Sequence, residues 1–148
     1  MTQIRMKLVL AILLGHALLS TAAGQFEDCG VANPGGLTGK SAIVNGDQAL
    51  PHEFPWVAVV KCLDSGDVCT GSVIGDRWVM TSAQCVEECD RWEVTVGVHD
   101  RGDPDGYAQT FTTTRGYVNK EFVAWSYSND IALVGLPQAL EFNGERVG

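Results

Sequence analysis

The chain has 148 residues, 45% of them hydrophobic and 19% charged, with 18 acidic side chains against 10 basic ones and a formal charge of −8. That composition excludes a disordered polypeptide, and an acidic surface without a basic stripe argues against nucleic acid or an anionic membrane as partner. The length allows one domain with a modest core and excludes a two-domain enzyme.

At the N-terminus, Arg5 and Lys7 precede the apolar run Leu8–Leu14, which passes through Ala17–Leu19 into the small residues Ser20–Gly24. This layout predicts a secretory signal peptide over residues 1–24; the run is short and broken by His16, which disfavours a membrane anchor. Without Arg5 and Lys7, 8 basic residues face 18 acidic ones, a net charge of −10 for a secreted, extracellular chain. No later stretch is long and apolar enough to span a bilayer, so no membrane partner is expected after signal removal. Residues 25–42, rich in Gly and Asn with Asn33-Pro-Gly-Gly36 at their centre, read as an irregular leader.

Short β-branched runs then alternate with turn signals. Trp56–Cys62 is the first predicted strand, and Asp64-Ser-Gly-Asp67 is a turn. Val68–Ile74 and Arg77–Thr81 flank Gly75-Asp76, and Trp92–Val98 alternates like a half-buried strand. A loop at 100–106 precedes Gln109–Tyr117, and Ile131–Leu136 completes about six strands. No segment keeps a helical period, so the pattern predicts an all-β barrel or sandwich. Five cysteines, Cys29, Cys62, Cys69, Cys85 and Cys89, read as disulfide-forming in a secreted chain. Their spacings do not suit zinc. The odd count leaves one thiol free, joined to another chain, or short of a partner because the sequence stops early.

Five landmarks occur in one order: Ile43-Val-Asn-Gly46, Phe54-Pro-Trp56, Cys69-Thr-Gly-Ser-Val-Ile74, Trp78-Val-Met-Thr-Ser-Ala-Gln-Cys85 and Asn129-Asp-Ile-Ala-Leu133. Together they resemble the N-terminal half of a trypsin/chymotrypsin-family serine protease. The resemblance implies an all-β fold, the first six-stranded barrel of the two-barrel chymotrypsin-like fold with the second barrel absent, over a partial protease domain at 43–148. It places Asp130 at the family's triad aspartate and Gln84 where the family has its catalytic histidine. The Gly-Asp-Ser-Gly-Gly segment that carries the family's nucleophile is not in the sequence. The resemblance also implies a Cys69–Cys85 bridge. A Cys62–Cys89 bridge is expected because the loops carrying these residues are neighbours in the family fold, the alternative being reduced thiols. Cys29 is then unpaired within the chain, and its family partner would fall just past Gly148.

A triad needs a base that takes the serine proton and returns it to the leaving amine, and imidazole serves because its pKa lies near neutrality. A glutamine amide has no such equilibrium. Gln84 is expected to donate a hydrogen bond to Asp130, a retained structural carboxylate, without the chemistry. His52 and His99 occupy no triad position and read as surface histidines; Asp64-Ser65-Gly66 reads as a turn, and Ser72 as a structural serine. Activation is not expected either, because Ala42 precedes Ile43 and the nearest basic residue is Lys40. No cofactor and no metal site is expected, since Val98 stands where the family's calcium loop has an acidic ligand. The reading is therefore a catalytically inactive secreted member acting through a protein partner, or on a protease substrate or inhibitor. The alternatives are the N-terminal fragment of a longer secreted serine endopeptidase, and a cell-adhesion ligand through Arg101-Gly102-Asp103.

Overall fold

The computed structural model describes Gly30, Ala32, residues 49–102, residues 107–142 and Val147. The expected signal peptide and leader, Cys29, the Ile43-Val-Asn-Gly46 landmark and Asp103 lie outside the described residues.

Among the described residues seven strands run in chain order: β1 Val57–Cys62, β2 Val68–Gly75, β3 Trp78–Thr81, β4 Trp92–Val96, β5 Gln109–Thr113, β6 Gly116–Val118 and β7 Ala132–Gly135. The one helical element among the described residues is a single 3-10 turn, Ala83–Cys85. All pairings are antiparallel, in the order β5-β4-β1-β2-β3-β7-β6. The two ends of this sheet, β5 and β6, are separated only by Thr114 and Arg115. Two residues reach no more than about 7–10 Å, so the sheet must curl until its ends meet. The result is a barrel wall in which β5 and β6 are the two arms of one bent strand.

That bend is where the expected continuous strand Gln109–Tyr117 breaks. The buried Thr113 hydroxyl donates to the Gly135 carbonyl at 2.7 Å and accepts the Arg115 N–H at 3.1 Å. Arg115 in turn accepts the Gly135 N–H at 2.8 Å, and its guanidinium donates to the Leu136 carbonyl. The chain thus leaves β4 and is captured by β7. The expected strand Trp92–Val98 is also shorter, because Gly97 takes a left-handed φ of 71° after Val96.

Alternation sorts side chains to the two faces of the wall. Ala58, Val60, Val73, Val79, Trp92, Val94, Val96, Phe111, Ala132 and Val134 point inward and form one core with Leu136 and Leu140. Outward, β4 and β5 present Glu93, Thr95, Thr110 and Thr112, whereas β3, β6 and β7 present Trp78, Met80, Tyr117 and Leu133. Trp78 lies over Tyr117 with ring centroids 5.6 Å apart.

Gly71 sits where three strands crowd. A methyl group there would come 2.6 Å from Val79 Cγ1 and 2.9 Å from the Met80 carbonyl oxygen. Backbone cannot yield as a side chain can, so Gly71→Ala is expected to cost about 1–3 kcal/mol. Thermal denaturation checks this: the midpoint should fall by roughly 5–20 °C.

Candidate functional site

β3 and β7 are paired so that Thr81, the last residue of β3, lies opposite Ala132, the first of β7. Whatever follows β3 is therefore brought beside whatever precedes β7. After β3 the chain turns through Ser82 into the 3-10 turn that carries Gln84, and before β7 it passes through Asn129 and Asp130. Forty-six positions of sequence are closed at this point by the sheet register.

The Gln84 backbone N–H donates to Asp130 Oδ1 at 3.0 Å, and its side-chain Nε2 donates to Oδ2 at 3.2 Å. Both carboxylate oxygens are engaged by the same residue. Gln84 is exposed and Asp130 half-buried. Asn129 holds its approach with a left-handed φ of 56° and donates Nδ2–H to the Glu121 carbonyl at 2.9 Å. This arrangement orients an amide against a carboxylate. It offers a hydrogen-bond donor and no group that accepts a proton near neutral pH.

Two disulfides frame the turn. Cys69 and Cys85 join β2 to the residue after Gln84, with Cα atoms 6.2 Å apart. Cys62 and Cys89 join the end of β1 to the loop that follows, 5.9 Å apart. A cavity of about 350 Å³ lies beside Gln84, bounded by both bridges, Asp67 and Glu88.

Asp64, read from the sequence only as part of a turn, ties that loop down. Its carboxylate accepts the N–H groups of Asp90 at 3.0 Å and Arg91 at 3.1 Å, and pairs with the Arg91 guanidinium at 3.3 Å. No sequence signal marks these contacts, since the partners lie 26 and 27 positions away. The Asp90 backbone N–H holds the Asp64 carboxyl below the usual carboxylate range; desolvation opposes it, and the Arg91 N–H and guanidinium add to the lowering. A depressed folded-state pKa gives stability that is present above the unfolded value near pH 4 and is lost as pH falls through the folded value. The melting-temperature gap between the native chain and Asp64→Asn should therefore be widest above the ordinary carboxylate range and narrow as the pH falls below about 4.

His99 is exposed, and His52 is half-buried in a turn with a left-handed φ of 57°. Ser65 donates to Asp67 at 2.7 Å, and Ser72 lies within β2 opposite Met80. The sulfurs of Cys62 and Cys89 come within 4.8 Å of an Asp64 oxygen, but they are bonded to each other and supply no thiolate to a metal. No helix among the described residues is long and apolar enough to cross a membrane. The family model described as Trypsin matches residues 43–146, a span that holds all seven described strands, the Cys62–Cys89 and Cys69–Cys85 bridges, Gln84 and Asp130.

Proposed function

The chain belongs to the trypsin family of serine proteases, and from that premise we propose that it acts by binding protein rather than by cleaving it. The observation that carries this reading is the Gln84 amide donating to Asp130 Oδ2 at 3.2 Å. In the family's chemistry the residue at this position must exchange a proton with the nucleophile and the leaving amine. An amide cannot do so, and the Asp130 carboxylate that would orient an imidazole is already satisfied by Gln84 through two bonds. The first-barrel frame that sets residue 84 against Asp130 is kept without the family's base, and this supports a binding role.

The partner in this reading is a protein: a protease substrate, an inhibitor, or a component that a protease engages. We further propose a secreted chain with a signal peptide over 1–24, a leader over 25–42 and a protease-type domain over 43–148. Two disulfides suit such an oxidising compartment. The reading calls on no cofactor and no metal. A second reading, the front part of a longer secreted serine endopeptidase, is favoured by the outward apolar wall of Trp78, Met80, Tyr117 and Leu133 and by the odd cysteine count. Transcript sequence continuing into a Gly-Asp-Ser-Gly-Gly segment would favour that second reading, with Gln84 still predicting a crippled catalyst.

Hydrolysis of a peptide panel by the purified protein tests the first reading. No turnover above buffer is expected at any pH from about 5 to 9; turnover abolished by a serine-directed reagent would refute it.

A further inference from the structure

Both bridges line the cavity of about 350 Å³ beside Gln84, and they differ in what surrounds their sulfur atoms. Cys69 and Cys85 are half-buried, whereas Cys62 and Cys89 are 5% and 9% exposed. A space of that size admits a small organic thiol.

Ser82 stands at the N-cap of the 3-10 turn with extended backbone, yet its side chain makes no capping bond. A serine there ordinarily accepts a backbone N–H of the first turn. Here the Gln84 N–H goes to Asp130 Oδ1 at 3.0 Å, and the Ser82 hydroxyl turns instead to Cys85 Sγ, donating at 2.9 Å. A donor on sulfur stabilises a thiolate more than it stabilises half of a disulfide, because the thiolate carries the charge. Cys85 is therefore the better leaving group of its bridge.

The second bridge has the opposite surroundings. Cys89 Sγ lies 3.1 Å from the Arg91 carbonyl oxygen and 3.6 Å from Asp64 Oδ2. A bonded sulfur has no proton to give, so both neighbours face it as bare acceptors. They raise the cost of a thiolate on Cys89 and disfavour its departure.

Charge selects the reagent. Asp67 and Glu88 are exposed at the cavity's edge, and among the described residues no ion pair joins either of them to a cation. Asp67 accepts only the short Ser65 hydroxyl bond at 2.7 Å. This approach repels an anionic thiol and favours one that carries an ammonium group.

We propose that the Cys69–Cys85 bridge is a site of covalent thiol exchange that takes up small aminothiols, while Cys62–Cys89 stays closed. The thiolate of the aminothiol attacks Cys69 Sγ and forms a new S–S bond to it. The Cys69–Cys85 bond breaks, and its electron pair leaves on Cys85, which then takes a proton from water. One disulfide is consumed and one is formed, so the step needs no oxidant or reductant. The product carries the aminothiol on Cys69 and unties β2 from the residue after Gln84, leaving Gln84 held to Asp130 by its two hydrogen bonds. Exchange thus remodels the surface beside Gln84, whether or not the chain cuts peptide bonds.

The test treats the purified chain, any free thiol first blocked with iodoacetamide, with cysteamine at about pH 8, where part of the reagent is thiolate. Early samples are capped with N-ethylmaleimide and mapped by peptide mass spectrometry. The expected result is cysteamine on Cys69 and maleimide on Cys85, formed at least roughly tenfold faster than any label on Cys62 or Cys89. Rates per thiolate, taken relative to a small uncharged disulfide, should fall from cysteamine to mercaptoethanol to mercaptoacetate by roughly fivefold per negative charge at low salt. That order should flatten when Asp67→Asn and Glu88→Gln are combined. Ser82→Ala should slow the opening by roughly tenfold and keep the native melting temperature; the site map and the order of thiols are read on the native chain alone. Opening of Cys62–Cys89 at an equal or greater rate, an adduct on Cys85 in place of Cys69, no opening of Cys69–Cys85 in the folded chain, or an unchanged rate in a folded Ser82→Ala would overturn the inference.

Discussion

Replacing Cys62 and Cys89 together by alanine is expected to lower the thermal midpoint of the non-reduced protein by about 15–25 °C. The bridge closes a loop of 27 positions, for which chain entropy alone gives about 3.5 kcal/mol of stabilisation. Both side chains are also nearly buried, at 5% and 9% exposure, and pack in the core with Trp92 and Val60. Their loss therefore removes packing as well as the crosslink. The Asp64 clamp on Asp90 and Arg91 remains and keeps the loop near its native path, so the fold should persist while its melting temperature falls. Circular dichroism melts of the two forms at pH 7 check this, and a fall below about 5 °C would mean that the bridge contributes little to the barrel.

Gln84→His is expected to leave the 148-residue chain without turnover, because no Gly-Asp-Ser-Gly-Gly segment is present to supply a nucleophile. In any form of the protein that carries such a segment, the same substitution should raise the peptide hydrolysis rate by roughly 10⁴-fold or more. The position is already built for it. The sheet register holds residue 84 against Asp130, and the 3.2 Å contact from Nε2 is the kind of bond that would fix an imidazole in the correct tautomer. Only the proton equilibrium is missing. A bell-shaped pH profile in Gln84→His and a flat one in the native form, measured with one substrate, checks the argument. Equal rates in both would show that position 84 is not the proton carrier.

The strands were legible in the sequence because β-branched residues alternate there with polar ones. Val94 and Val96 against Glu93 and Thr95 carry that signal, and so do Ala58 and Val60 in β1. The all-β fold and the trypsin family followed from such runs and from the landmarks in register. What stayed hidden was long-range. The break at Thr114 and Arg115 exists because Thr113 finds the Gly135 carbonyl 22 positions away, and nothing within Gln109–Tyr117 announces that partner. Asp64 read as a turn residue because its ligands, Asp90 and Arg91, are close only after β1 and β4 pair. The loop at Val123–Ser128 gave no strand or turn pattern, and a left-handed Tyr127 contradicts the preference of its own side chain. Gln84 and Asp130 were matched to the family by resemblance; their contact is a consequence of Thr81 facing Ala132.

The central claim is that an amide holds the place of the proton carrier, so the protein grips without cutting. Intact mass spectrometry of the purified native protein, after incubation with an activated acyl ester, tests it most directly. The account predicts an unchanged mass at every time point. A transient adduct of one acyl group on a single hydroxyl, discharged by water with release of the acid, would contradict it.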